Sequence, residues 1–521
     1  MSSFAARACA ALALAAGLIT VSVHGQLNHA AARTMVQEIG LPAIDRGVRN
    51  QDAPRDARSG ANAAPARLGS TEHRPYLRGS VIVKFKDQAT RAGIDAAASQ
   101  LSGDLVTRAP HANFDILDIP ADLDPEAAAA AMRARANVEY AQPRYVNHAM
   151  ARPNDPLYGN QWNFPAIDME RAWDIQPGAS SDIVVAVLDT GMAFRSITMR
   201  YLARVPFQLE AGGPVYPALG PVVMPFAAAP ELGASGSPRF VAPRDFIWND
   251  ELPLDLDGHG THVAGTIGQL TNNNSGTAGM AYNVRLMPVK VIRGIWDAVF
   301  GSPFEGTDDV VALGIRYAAD HGANVINLSL GRETGGPAPV VADAIRYAVS
   351  RGCFVVAASG NTRAGGNAPN RLAQAAPEID GFVAVGAVGR TLNPAFYSTT
   401  GPFVELAAPG GDQLEGGLAG GILQQTLDFD LIETYLRPLS QFAPPRADVF
   451  AHEYLQGTSM AAPHVSGFAA LLMQQGLTNP AVIEAAMKAF ATDRGAPGRD
   501  NAFGFGLINP RATLRGMGLA R

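Results

Sequence analysis

Apolar positions along the chain follow two different rhythms. In Ser80-Val-Ile-Val-Lys-Phe-Lys86 apolar and polar residues alternate, the pattern of a strand with one wet face. Residues 89–101 suit a helix, and residues 114–119 repeat the strand pattern. Residues 125–135 are Ala-rich with Pro125 at the start, which favours a helix. Residues 138–143 close with an extended segment. Strand, helix, strand, helix, strand predicts a small α+β domain over residues 76–148. From about residue 153 the strands become apolar on both faces, as buried parallel strands must. Residues 181–188, 284–291, 325–330, 354–358 and 382–388 read this way. Helical stretches at 259–267, 307–321 and 339–351 separate several of them. The alternation predicts an α/β fold over residues 153–521, a doubly wound parallel sheet with helices on both faces.

The first 75 residues carry neither rhythm of a folded domain. Residues 1–25 join Arg7 to a short apolar stretch and small residues near Val23 and Gly25, a signal-peptide pattern. Residues 26–75 are Ala-, Arg- and Gly-rich and predict a low-complexity linker or pro-segment. A secreted protein, extracellular or periplasmic, is therefore expected, with no membrane span in the mature chain. The formal net charge of -6 offers no basic field for nucleic acid. Of two cysteines, Cys9 lies in the segment expected to be removed. Cys353 opens the apolar run Cys353-Phe-Val-Val-Ala357 and reads as a small buried hydrophobe.

Three short segments bring chemistry. Val187-Leu-Asp189-Thr-Gly191 places an acid at the end of a buried strand, at the sheet edge where open α/β folds put their sites. Asp257-Gly-His259-Gly-Thr-His262-Val-Ala-Gly265 starts a helix at a histidine. His262 follows three residues on without the His-Glu-x-x-His pattern of a zinc site, and reads as structural. Gln456-Gly-Thr-Ser459-Met-Ala-Ala-Pro-His464 runs a Gly-Thr-Ser turn into an apolar helix. Ser459 would sit at that helix's N-terminus, where dipole and free amides favour negative charge. His464, inside the helix, reads as packing.

Together these segments resemble the subtilisin family, in its order of Asp, His and Ser, over about residues 155–509. The resemblance implies a serine endopeptidase. Asp189 would fix and stabilise the His259 imidazole, which would take the proton of Ser459 as it attacks a peptide carbonyl. Asn361, in Ala357-Ala-Ser-Gly-Asn361, would supply an oxyanion donor. Ser329, Leu330 and Gly331 with Ala358, Ser359 and Gly360 would wall the side-chain pocket, without charge and so suited to apolar residues. An extended peptide would pair with the first of these segments. The residue 76–148 domain resembles the family's inhibitory propeptide, an intramolecular partner beside the polypeptide substrates. Its junction is expected between about Tyr145 and Asn154, with His148 or Met150 before the cut. No cofactor is required for this chemistry. Residues 270–277 resemble a family calcium loop, with Asn272 or Asn273 as ligand, so a structural calcium is admitted. Departures from the family are long inserts over residues 192–250 and 411–455, expected as loops that shape subsites or decorate the surface.

Overall fold

The computed structural model describes residues 76–518 apart from 87, 100, 102–103, 107–111, 146–151, 204–205 and 209–212. The signal-peptide and linker expectations, Cys9, His148 and Met150 fall outside these residues. The chain divides into two units, one within residues 46–149 and one from residue 150 onward.

In the first unit β1 (Tyr76–Phe85), α1 (Arg91–Ser99), β2 (Asp104–Val106), β3 (Asp115–Asp118), α2 (Pro125–Arg133) and β4 (Val138–Tyr145) follow in order. The strands form one antiparallel sheet, β2-β3-β1-β4. The alternation in β1 puts Val81, Val83 and Phe85 in a core with Ala128, Ala129 and Met132 of α2. Asp124 caps α2, its carboxylate accepting the Ala127 N–H at 3.2 Å. The sequence pattern missed β2, which at three residues is too short to alternate visibly.

The second unit is built on a seven-stranded parallel sheet, β10-β11-β5-β12-β13-β14-β15. The strands are β5 (Val184–Asp189), β10 (Arg244–Asp245), β11 (Arg285–Lys290), β12 (Val325–Leu328), β13 (Phe354–Ala358), β14 (Phe382–Val388) and β15 (Leu406–Pro409). Along β5 the faces alternate. Val184, Ala186 and Leu188 join one core, and Val185 and Val187 join the other. The first core holds α5 (Asp308–Asp320) and α6 (Pro339–Ser350), and the second holds α3 (His259–Gly268) and α7 (Thr458–Gln474). Two covered faces are why the strands read as unbroken apolar runs. The doubly wound expectation holds. Edge strands β10 and β15, two and four residues long, carried too little pattern to be found.

The inserts are more ordered than irregular loops. Over residues 192–250 lie two hairpins, β6 (Ile197–Ala203) with β9 (Leu219–Phe226), and β7 (Phe207–Gln208) with β8 (Val215–Tyr216). Over residues 411–455, β16 (Ile422–Leu427) pairs with β17 (Phe450–Leu455). Aromatic rings join the two inserts across the short helix α4 (Ile295–Val299). Tyr201 stacks on Phe300 at 4.6 Å, Phe300 on Trp296 at 5.5 Å, and Tyr216 meets Phe442 at 5.1 Å. The Tyr216 hydroxyl donates to the Tyr435 carbonyl at 2.6 Å and the Trp296 Nε1 to the Ile432 carbonyl at 2.6 Å. Such pairs add about 0.5–1.5 kcal/mol each beyond their burial. Among the described residues no helix is long and apolar enough to cross a membrane.

Cys353 is buried, and its thiol donates to the Ala323 carbonyl at 3.0 Å. Burial pushes the thiol up to about 12, against a smaller pull from Arg351. A thiolate is the reactive form. Ellman's reagent should therefore leave Cys353 unlabelled in the folded protein and titrate it only after denaturation; fast labelling of Cys353 in folded protein would contradict this packing.

Candidate active site

Asp189 ends β5 at the carboxyl edge of the sheet, beside the point where later strands add to either side of β5. It is fully buried. Its Oδ1 accepts the Thr190 N–H at 2.8 Å and a hydrogen bond from His259 Nδ1 at 2.6 Å. A carboxylate only accepts, so Nδ1 carries a hydrogen, and in the neutral ring Nε2 is the free base. Oδ2 is buried and has no hydrogen-bond partner among the described residues. The His259 side chain is 28% exposed, at the first position of α3.

Close approach of the Asp-Thr-Gly and His-Gly-Thr-His segments requires glycine. A Cβ on Gly260 would lie 2.1 Å from the Gly191 carbonyl oxygen. Gly191 itself has φ +123° and faces the Leu254 carbonyl, so no other residue fits there. Asp255, buried and overlooked in the sequence, binds the two segments together. Its Oδ1 accepts from Thr190 Oγ1 at 3.0 Å and from the Asp257 and Gly258 N–H groups at 3.1 and 2.9 Å. Its Oδ2 accepts from the Thr261 N–H at 3.0 Å and from Thr261 Oγ1 at 2.6 Å. Thr190 Oγ1 in turn accepts the Gly260 N–H at 3.0 Å. The available signal was an Asp in the Asp255-Leu-Asp-Gly turn ahead of the helix, a residue type that accepts backbone N–H groups two and three positions on.

Charge around His259 sets its proton affinity. Burial pulls the imidazole down, but the Asp189 carboxylate, by charge and hydrogen bond, overrides it, with Asp257 and Asp255 adding to the effect. The net result is a rise to about 9. Asp257 is raised to about 6 by burial and by the like charge of Asp255.

Ser459 is the second residue of α7. Pro463, four residues on, has no N–H to give the Ser459 carbonyl. Ser329 Oγ donates to that carbonyl instead, at 2.7 Å. Behind it, Asn327 Nδ2 donates to Ser329 Oγ at 3.0 Å and Ser466 Oγ to Asn327 Oδ1 at 2.8 Å. The Ser459 hydroxyl itself donates to the Ser329 carbonyl at 3.2 Å. No hydrogen bond joins it to His259 among the described residues, so the expected chain of contacts is closed on the Asp–His side alone. A serine hydroxyl turns about one bond, and such catalytic contacts commonly tighten only with substrate.

Asn361 follows β13 and is exposed. Its Oδ1 accepts from both the N–H and the Oγ1 of Thr458 at 2.9 Å. Two donors on one oxygen fix the amide's orientation and leave Nδ2 as a donor beside Gly457. The pocket segments leave adjacent strands, since Leu328 of β12 is in register with Ala357 of β13. Asn370, a second residue the sequence did not flag, ties them, its Nδ2 donating to the Leu330 carbonyl at 2.9 Å and the Ala358 carbonyl at 2.8 Å. Ser359 is fully buried with its hydroxyl on the Thr399 carbonyl, so it offers backbone alone to that wall. Leu330 is half-buried, Gly331 exposed and Gly360 buried.

The other histidines have structural work. His262 Nε2 faces the Ile422 and Glu453 carbonyls at 3.0 and 3.1 Å, anchoring α3 to the β16–β17 hairpin, and burial lowers it to about 3. His464 donates from Nδ1 to the Met460 carbonyl at 2.9 Å and accepts from Asn163 Nδ2 at 2.8 Å; burial lowers it to about 4.

Residues 270–277 turn their side-chain oxygens, and that of Asp155, to backbone amides. The nearby acid Asp155 accepts the Asn272 N–H at 2.9 Å and the Asn273 N–H at 3.4 Å. Asn272 Oδ1 accepts the Asn154 N–H at 3.3 Å, and Asn273 Oδ1 the Ser275 N–H at 2.9 Å. Each of these oxygens keeps a further lone pair beside its N–H donor. Among the described residues no group of three or more His, Cys, Asp and Glu converges as a metal would require.

Comparison with known proteins shows what the chain is similar to. The chain matches the profile of the Subtilase family over residues 180–506, and that of the fervidolysin N-terminal prodomain over residues 62–144. It is 31% identical to a thermophilic serine proteinase of Bacillus sp. strain AK1 over 443 residues, 84% of this chain and 88% of that one. It is 32% identical to thermitase of Thermoactinomyces vulgaris over 329 residues, 62% of this chain and 86% of the other. Among solved structures, a protease of Pseudoalteromonas arctica aligns at 30% identity and a TM-score of 0.47, covering 70% of this chain and 99% of that one.

Replacing Asp255 tests the clasp. Asp255→Asn keeps one acceptor oxygen and withdraws the other from buried donors. The expected loss is about 1–3 kcal/mol of stability, read as a lower melting temperature. A variant melting with the parent would show that the clasp contributes nothing.

Proposed function

The chain belongs to the subtilase family of serine peptidases, and from that premise we propose that Asp189, His259 and Ser459 form its catalytic triad. It is a serine peptidase with a prodomain. The observation that carries the triad reading is the 2.6 Å bond from His259 Nδ1 to a carboxylate with no access to water. That bond holds the tautomer with Nε2 open, the form able to accept a serine proton.

The mechanism follows from these groups. His259 takes the proton of Ser459 as its oxygen attacks a peptide carbonyl. Asp189 offsets the positive charge that appears on the imidazole. The carbonyl oxygen, turning anionic, receives Asn361 Nδ2 and the Ser459 N–H at the start of α7, where the helix dipole also favours it. His259 then protonates the leaving amine, and water releases the acyl group by the reverse path. No metal or cofactor takes part in these steps. The uncharged walls at Ser329–Gly331 and Ala358–Gly360 favour apolar side chains before the cut. Residues 76–148 act as an inhibitory propeptide removed by self-cleavage between about residues 145 and 154, and residues 1–25 direct secretion.

A fluorophosphonate probe should label the mature protein on Ser459 and leave Ser459→Ala unlabelled. The Ser459→Ala protein should also keep its pro-segment when purified; loss of that segment in pure form would exclude self-cleavage. Absence of labelling on well-folded mature protein would sink the triad assignment. Asn361→Ala should lower kcat by about 10²–10³, a magnitude measured on subtilisin itself rather than worked out from this chain.

The pH profile gives a further check. Since His259 is raised from 6.5 to about 9, the imidazolium persists through neutral pH and the free base grows as pH rises toward 9. The expected kcat/KM therefore climbs on an alkaline limb. The same ion pair stabilises the fold fully below about 6.5, and that contribution fades as pH rises through about 9. A profile already flat from pH 6 upward would contradict the raised pKa.

A further inference from the structure

The segment proposed to pair with a peptide leaves the end of β12 and runs out to Arg332. One side of it is tied to the body of the unit. The Ser329 carbonyl accepts from the Ser459 hydroxyl at 3.2 Å, the Leu330 carbonyl from Asn370 Nδ2 at 2.9 Å, and the Arg332 carbonyl from the Arg371 N–H at 2.8 Å. The other side is open. Gly331 is exposed, and among the described residues no hydrogen bond reaches its N–H or its carbonyl. A free donor and acceptor on one exposed residue are what an extended chain pairs with. Beyond Arg332 the chain reads Glu333-Thr-Gly-Gly336, a polar stretch whose glycines give it no stiffness of its own.

The Arg332 side chain supplies the stiffness. Its Nε donates to Asp308 Oδ1 at 3.0 Å and its Nη2 to Asp308 Oδ2 at 2.7 Å, a two-pronged ion pair with the first residue of α5. Nη1 donates to the Thr334 and Gly336 carbonyls at 2.6 and 2.9 Å, and Nη2 also to the Pro337 carbonyl at 3.4 Å. A guanidinium has five N–H groups, and here all of them are committed. Gly335, at φ +78°, lets the loop wrap closely, since a Cβ there would lie 3.1 Å from Nη1. Both side chains of the ion pair are 34% exposed, where a lone pair of charges contributes little. The planar fork changes that, because it fixes geometry as well as charge.

We propose that Arg332 is a positioning residue for the substrate. Clasped to Asp308, it gathers residues 334–337 around one rigid plane and so holds Gly331 where its N–H and carbonyl pair with the peptide. This role rests on Ser459 as the nucleophile and on Ser329–Gly331 as the pairing segment. With no N–H to spare, Arg332 does not itself touch substrate. Gly331 lies two residues beyond Ser329, so it meets the peptide about two residues away from the cut. The clasp therefore serves only peptides long enough to reach that point. Groups nearer the cut are held separately, Ser329 by its bond to the Ser459 carbonyl and Asn361 by Thr458. Contacts far from the reacting atoms bind ground state and transition state alike, so their loss moves KM and leaves kcat.

The test compares the mature protein with its Arg332→Met variant, which keeps the stem and loses the fork, on two substrates. N-succinyl-Ala-Ala-Pro-Phe p-nitroanilide is long enough to reach Gly331; N-acetyl-phenylalanine p-nitrophenyl ester stops short of it. In the variant the tetrapeptide KM should rise about tenfold, or 1.4 kcal/mol, with kcat kept. Both constants for the ester should stay at parental values. Arg332→Lys, a point charge without the fork, should not restore the tetrapeptide KM. Asp308→Asn opens the clasp from its other end and should raise that KM too; it decides alone if Arg332→Met fails to fold. An unchanged tetrapeptide KM, or equal losses on both substrates as general loosening would give, overturns the proposal. Fluorophosphonate labelling separates this from failure of the triad. A parent protein that takes no probe removes the triad and the proposal together, whereas a labelled parent whose variants show no KM split removes the proposal alone.

Discussion

A carboxylate sealed from water must be answered by another group, and the site is organised around how Asp189 is answered. One oxygen takes the Thr190 amide and the His259 ring; the other has nothing. Half-satisfied in this way, the acid holds the imidazole firmly and lifts its proton affinity. The contact exists only because two glycines let the chain segments touch, and because Asp255 binds both with five hydrogen bonds, one from Thr190 and four from residues 257–261. Remove the approach and the ion pair is a buried charge without compensation.

The serine side is arranged by a different economy of backbone groups. Pro463 deprives the Ser459 carbonyl of its usual helical partner, and Ser329, backed by Asn327 and Ser466, fills that vacancy. The residue at the start of α7 is thereby tied to the strand that leads into one wall of the proposed pocket. Asn361 is tied to the same helix start through Thr458. Nucleophile candidate, pocket wall and oxyanion donor candidate thus share one hydrogen-bonded frame.

The inserts belong to the frame as well. Thr426 of β16 donates to the Gly258 carbonyl directly before His259, and His262 reaches back to both strands of the hairpin. Glu231, buried in the first insert, accepts from His452 of β17 at 2.8 Å and from Gln425 of β16 at 3.0 Å. The sequence reading treated these stretches as loops because β6 and β9 mix exposed and buried positions, β9 carries Gly and Pro, and β16 buries polar residues, so none reads as an apolar run. Aromatic side chains tens to hundreds of residues apart, such as Tyr201 with Phe300 and Tyr216 with Phe442, have no local signature.

The amino-acid pattern alone determined the α/β class, the doubly wound sheet and its principal strands, since burial on both faces leaves no polar position in β13 or β14 and only the terminal Asp189 in β5. It also marked Asp189, His259, Ser459 and Asn361 as candidates, since glycines and helix starts are local features. What only the tertiary structure decided is which groups meet. Asp255, Asn370 and the Ser329–Asn327–Ser466 relay act across gaps in sequence that no periodicity spans. Residues 270–277 resemble a calcium loop in one dimension; in three, the Asn272 and Asn273 oxygens accept from the Asn154 and Ser275 amides, contacts no local pattern announces. Periodicity reports which face of an element is buried; it says nothing about what lies on the other side of that contact, and hydrogen-bond partners are chosen there.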